Sequence, residues 1–102
     1  MKKKICVIFG GESTEYEVSL RSAYSVIEKL DKDKFEIIPV GIRKDGKWFL
    51  YEGSYDKIPT DNWYDNGLLP VSIMHGQKES ALLALKPDGT YEKILFDVAF
   101  PV

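Results

Sequence analysis

The sequence offers few anchors of the covalent or long-range electrostatic kind. It has one cysteine, Cys6, so no internal disulfide can form. That thiol sits inside an apolar run with no base or cation obviously arranged for it, and it reads as a buried core residue rather than a nucleophile. The formal net charge is only −2, which gives no electrostatic reason to expect nucleic acid or an anionic membrane as a partner. Lys2, Lys3 and Lys4 form a short basic cluster, read as a solvated lead-in to a strand. No apolar run approaches the roughly 20 residues that span a bilayer. The run Ile5 to Phe9 is too short for a signal peptide and is followed by Gly-Gly and acids, so the expected location is the cytoplasm. There is no internal repeat and no low-complexity tract.

What is present is an ordinary globular composition, 44% hydrophobic and 29% charged over 102 residues, enough for one core and not for two. Lys4 to Phe9 is a continuous, β-branched apolar run closed by Gly10-Gly11, as expected of a strand buried on both faces in a parallel sheet. Tyr16, Leu20, Ala23, Ile27 and Leu30 then recur at helical spacing. Thr14 and Glu17 stand at capping-box spacing and predict a helix start near residue 15. Phe35 to Ile42 reads as a second strand, completing a right-handed βαβ unit. Lys44-Asp45-Gly46-Lys47 predicts a hairpin into Trp48 to Tyr51. Residues 53–80 read as an irregular excursion with one short strand at Val71 to Met74. Ala81 to Leu85 and Thr90 to Leu95 flank a second hairpin turn, and Asp97 to Val102 is again a buried apolar run. Strands 4–9, 35–42 and 97–102 are expected to form the parallel core, with the helix on one face. Because ligands of open α/β sheets bind beyond the carboxyl ends of strands, a chain stopping at Val102 is expected to be a fragment.

The turn after the first strand is the segment that could carry chemistry. Gly10-Gly11 between strand and helix suggests a phosphate cradle. It has no third glycine for a dinucleotide fingerprint and no Lys-Ser/Thr for a P-loop. A flavodoxin-like loop would use Ser13 and Thr14, but Glu12, Glu15 and Glu17 put three carboxylates around any phosphate there. With the sign reversed the segment is consistent: a helix start stabilises the carboxylate of Glu15, and an ionised acid on a rigid helix start suits an ammonium group such as an amino-acid amine. Acids are also common in first turns for their own sake, and the residues alone leave both readings open.

Gly10-Gly11, Ser13, Glu15, Val18-Ser19 and Ser22 resemble the opening motif of D-alanine–D-alanine ligases, GG-x-S-x-E-x-x-VS-x-x-S. Phe96 to Val102 is similar to the strand that leads, in that family, into a Leu-His-Gly…Gly-Glu-Asp-Gly loop. The resemblance spans the chain and is strongest at its two ends. It implies an α/β, Rossmann-like three-layer domain with a mostly parallel sheet plus hairpin additions, the domain that precedes an ATP-grasp pair. Residues 1–102 would then be the N-terminal substrate-binding domain of a ligase that phosphorylates one D-alanine and joins it to a second for peptidoglycan. By resemblance, Glu15 holds the ammonium of the first D-alanine, Val18 lines the pocket for its methyl, and Gly10, Gly11, Ser13 and Ser19 support the loop. ATP and Mg2+ would bind the full-length enzyme and not this fragment, no metal ligand would lie in this chain, and the enzyme would be a homodimer.

Thr14 to Glu17 and the aromatic hairpin around Trp48 are similar to vancomycin-resistance ligases that join D-alanine to D-serine. His75-Gly76 is not the family's His-Gly, because Gln77-Lys78-Glu79 follows it. Two rival classes remain: a flavodoxin-like binding module, and an interaction domain presenting Trp63 and Tyr64. Those two aromatics are more simply read as a lid over a satellite core.

Overall fold

The computed structural model describes residues 2–11, 14–60, 63, 68–75 and 80–102. The elements run β1 (Lys3–Gly10), α1 (Tyr16–Lys29), β2 (Phe35–Ile42), β3 (Trp48–Tyr51), a 3-10 helix (Tyr55–Thr60), β4 (Leu68–His75), β5 (Ser80–Leu85), β6 (Tyr91–Phe96) and β7 (Val98–Pro101). They form one sheet in the order β6-β5-β4-β3-β2-β1-β7.

The three apolar runs do pair in parallel, but the one expected to be buried at 97–102 is the last strand in the order, with Val98 and Phe100 each 47% exposed, because β1 covers only one of its edges and little packs on its faces. β1 pairs in parallel with β2 from Lys3↔Phe35 to Gly10↔Ile42, and with β7 from Ile5↔Val98 to Ile8↔Pro101. The parallel share is smaller than the sequence suggests, because β3, β4, β5 and β6 each pair with the preceding strand in antiparallel sense. The excursion after residue 53 is also more ordered than its Gly, Pro and Asp content predicts. It holds the 3-10 helix, and its expected short strand at 71–74 is the longer β4. β4 pairs with β3 through Leu68–Pro70 and with β5 through Val71–His75, so a single strand serves two stretches of sheet.

Side chains of β1 alternate between two cores. Val7 and Phe9 face α1 and share a cluster with Tyr16, Leu20, Ala23, Ile27, Tyr51, Ile58 and Trp63. Cys6 faces the other side, with Ile38, Val40 and Leu50 of the central strands and Val71, Leu82, Ala84 and Phe96 of β4 to β6. The third layer is therefore not a helix. It is the antiparallel end of the same sheet, folded back over the central strands. Connectivity requires this curl, since β6 and β7 lie at opposite ends of the strand order yet are joined by Asp97 alone. Asp97 donates its backbone N–H to the Lys4 carbonyl (2.8 Å), and its carboxylate accepts from the Lys4 N–H (2.7 Å). Cys6 is the core thiol expected, and desolvation pushes its pKa up to about 12, which leaves it protonated and unreactive at neutral pH.

α1 buries the expected stripe, with Tyr16, Leu20, Ala23 and Ile27 inside. Its start differs from the capping-box expectation. The N-cap is Glu15, one residue beyond Thr14, and it makes no side-chain capping bond; the first intrahelical bond runs from the Ser19 N–H to the Glu15 carbonyl (2.8 Å). Thr14 and Glu17 thus fall one position out of register for reciprocal capping. The helix ends on an extended Leu30, with the Lys32 ammonium donating to the Ile27 carbonyl at 2.6 Å. Among the described residues no helix is long and apolar enough to cross a membrane.

Candidate functional site

The parallel strands β2, β1 and β7 end side by side at Ile42, Gly10 and Pro101. This carboxyl edge is where α/β sheets place ligands, and the glycine pair and helix start both lie on it. Gly10 and Gly11 adopt φ of +88° and +108°. Gly10 is also pressed against β2, since a Cβ there would stand 2.2 Å from the Ile42 carbonyl oxygen. That same carbonyl accepts the Gly11 N–H at 2.8 Å, so the turn is stitched to the end of the neighbouring strand.

Ser19 ties the edge together. It is a buried polar residue, 8% exposed, one turn into α1. Its Oγ accepts the Gly10 N–H at 3.0 Å and donates to the Val102 carbonyl at 2.7 Å. One hydroxyl thereby links the loop after β1, the helix and the exit of β7. Its link to Val102 spans a separation of 83 residues that sequence reading could not supply. Ser19→Ala is expected to leave a part-buried N–H and a carbonyl without these partners, at a cost of about 1–3 kcal/mol. Urea unfolding measures that cost. Amide exchange at Gly10 should quicken more than at Val7 in the middle of β1, and equal changes at the two amides would show that Ser19 has no local latch function.

Glu15 stands at the N-cap of α1, and its side chain is exposed at the carboxyl edge. Val18 follows one helical turn later, 46% exposed although it is apolar. Residues three apart share a helix face, so an acid and an apolar side chain are offered together beside the glycine turn. A carboxylate at a helix start is stabilised by the free N–H groups there and can receive an ammonium, while a neighbouring Val suits a small alkyl group. Ser13 and Glu12 lie outside the described residues, as do Tyr64 and Gly76 to Glu79; His75 is the last residue of β4. Among the described residues no group of three or more His, Cys, Asp or Glu is arranged to hold a metal ion.

Trp63 corrects the sequence reading. It is fully buried in the principal core, against Phe9 and Tyr51, and is neither an interface residue nor the lid of a satellite cluster. The signal that could have found it is Gly41 in an otherwise apolar strand. A Cβ at residue 41 would come within 2.4 Å of the Trp63 ring. A separate cavity of about 340 Å³ opens between β2 and the end of β3, lined by Ile37, Leu50, Tyr51, Glu52, Tyr55 and Ile94. It lies away from the glycine turn, and its walls are mainly apolar.

The family model described as D-ala D-ala ligase N-terminus matches residues 4–102. The chain belongs to that family. It is 48% identical over 101 residues to a D-alanine--D-alanine ligase of Thermoanaerobacter sp. (strain X514), covering 99% of this chain and 28% of the relative. It is 40% identical to one from Caldicellulosiruptor bescii, over 99% of the chain and 27% of the relative. Among solved structures it is similar to the VanG D-Ala:D-Ser ligase from Enterococcus faecalis, at 42% identity and a TM-score of 0.89, covering 99% of this chain and 29% of that one. The D-alanine-D-alanine ligase from Coxiella burnetii, at 24% identity and a TM-score of 0.75, shares the fold. The chain thus spans a little over a quarter of the length of these ligases, and aligns with them from one end to the other.

Proposed function

We propose that residues 1–102 form the first-substrate domain of an ATP-dependent D-alanine–D-alanine ligase that makes the dipeptide for peptidoglycan in the cytoplasm. The observation that carries this reading is the position of Glu15, an acid at the start of α1 beside the glycine turn, on the carboxyl edge of the parallel strands of a ligase-family chain. Glu15 receives the ammonium of the first D-alanine. Val18 lines the space for its methyl. Gly10 and Gly11 let the backbone turn tightly at the site, and Ser19 holds turn, helix and β7 in one geometry. Bound ATP and magnesium supply activation of the carboxylate. Both would be held by parts of the full-length enzyme outside residues 1–102, this chain spanning a little over a quarter of the relatives' length.

A second reading, a ligase that joins D-alanine to D-serine, is favoured by the likeness to the VanG D-Ala:D-Ser ligase. It uses the same first-substrate site. The full-length enzyme, assayed by phosphate release from ATP with D-alanine alone and with D-alanine plus D-serine, separates the two by its dipeptide product. The purified 102-residue chain should match a blank under the same conditions. No dipeptide from either mixture would overturn the ligase proposal, and turnover by the short chain would overturn the assignment of ATP and magnesium to other parts.

A further inference from the structure

The residue after Glu15 is tethered in a way that neither the motif nor the glycine turn requires. Tyr16 opens α1 at the edge of the sheet, yet it is only 4% exposed. One edge of its ring lies beneath the glycine turn, where a Cβ on Gly10 would stand 3.2 Å from Cε1. The Lys44 ammonium lies 5.0 Å from the ring centroid. The hydroxyl accepts a buried hydrogen bond from Nε1 of Trp63 at 2.9 Å. Trp63 is itself immobilised, edge-on to Phe9 (ring centroids 5.1 Å) and Tyr51 (6.3 Å), in space that Gly41 leaves open. The contacts therefore run from the strand core, through one indole N–H, to the residue adjoining Glu15.

Tyr16 is the first residue of α1, so whatever holds its ring also holds the backbone that carries Glu15. A phenylalanine at residue 16 would fill the same space and bury the same ring. The hydroxyl adds a directional bond, and a buried Trp N–H ordinarily requires a partner.

We propose that Tyr16 and Trp63 are positioning residues for the first substrate, their hydrogen bond fixing the first turn of α1 and with it the Glu15 carboxylate. The proposal rests on the reading that Glu15 receives the ammonium of the first D-alanine. Small displacements of a binding group have large consequences for a bound reactant, so the effect falls on the first D-alanine and not on ATP.

The test uses the full-length enzyme with Tyr16→Phe, Trp63→Phe, the double variant and Glu15→Gln. Loss of one neutral hydrogen bond should raise KM for the first D-alanine about 2- to 10-fold in each single variant, with KM for ATP within about twofold of wild type. The double variant should be no worse than the weaker single, because both changes delete the same bond. Trp63→Phe also removes core volume, so if that variant fails to fold Tyr16→Phe decides alone. A Tyr16→Phe enzyme with unchanged first-substrate KM, beside an impaired Glu15→Gln, overturns the positioning role and leaves the Glu15 reading standing. Equal rises in every KM mark a merely structural role and overturn it as well. A Glu15→Gln enzyme with wild-type kinetics defeats the underlying reading.

Discussion

Glu15→Gln in the full-length enzyme is expected to cost about 10- to 150-fold in the kinetics of the first D-alanine, the worth of a hydrogen bond to a charged group, roughly 1.5–3 kcal/mol. Glutamine keeps the shape of the side chain and removes the charge that would face the ammonium. ATP affinity should barely move, because the nucleotide is proposed to bind elsewhere. The unfolding midpoint should also change little, since Glu15 is exposed and its side chain does not cap α1. Glu17→Gln is the control. It too is an exposed first-turn acid and feels the same helix dipole, but it has no assigned contact with substrate. Steady-state kinetics against D-alanine discriminate the two roles. If Glu15→Gln is no worse than Glu17→Gln, Glu15 is an ordinary first-turn acid and the substrate role is wrong.

Gly10→Ala is expected to be the most damaging single-methyl change at the candidate site. Alanine at a φ of +88° carries backbone strain of about 1–3 kcal/mol. Its methyl would also meet the Ile42 carbonyl oxygen at 2.2 Å, a backbone atom already engaged by the Gly11 N–H and so unable to retreat without breaking the stitch between β1 and β2. Together these should cost about 3–5 kcal/mol. That is a large part of the roughly 5–15 kcal/mol that holds a typical domain folded. Gly11→Ala separates the two causes. Its φ of +108° is strained for alanine, but among the described residues a Cβ there meets nothing within 4 Å, so only the strain should appear. Urea unfolding of both variants gives the comparison. Equal losses would mean that the approach of Gly10 to Ile42 has no energetic weight.

The parts of the fold that were legible in the sequence are those set by local pattern. Continuous apolar runs at Lys4 to Phe9, Phe35 to Ile42 and Asp97 to Val102 mark strands, and these three pair in parallel, although the third is not the buried strand its composition predicts, with Val98 and Phe100 each 47% exposed. Helical periodicity identified the buried stripe of α1 because a helix repeats the same face within a few residues. Both hairpin turns announced themselves through Asp-Gly, and Gly10-Gly11 through the lack of side chains where φ is positive. Glu15 could be noticed in the same way as an acid at a helix start, with its role left open, whereas Val18 was singled out only by the resemblance to the ligase family.

What only the tertiary structure decided depends on partners distant in the chain. Thr14 and Glu17 have the spacing of a capping box, yet the helix begins a residue later, and its first residue is bonded to Trp63, 47 positions away. Trp63 stands in a segment rich in Asp and Asn and reads as the lid of a satellite core; it belongs to the principal core because Gly41 on another strand leaves room for its ring. Among the described residues no helix covers the second core, and β4 to β6 fold back to do so, held by Asp97 pairing with Lys4. Ser19 joins the turn after β1 to the end of β7 only because the fold brings the Val102 carbonyl within 2.7 Å of its hydroxyl. The physical reason is common to all four. Periodicity and turn chemistry follow from backbone geometry over a few residues, whereas packing volume and a buried hydrogen-bond partner exist only once strands far apart in sequence have met.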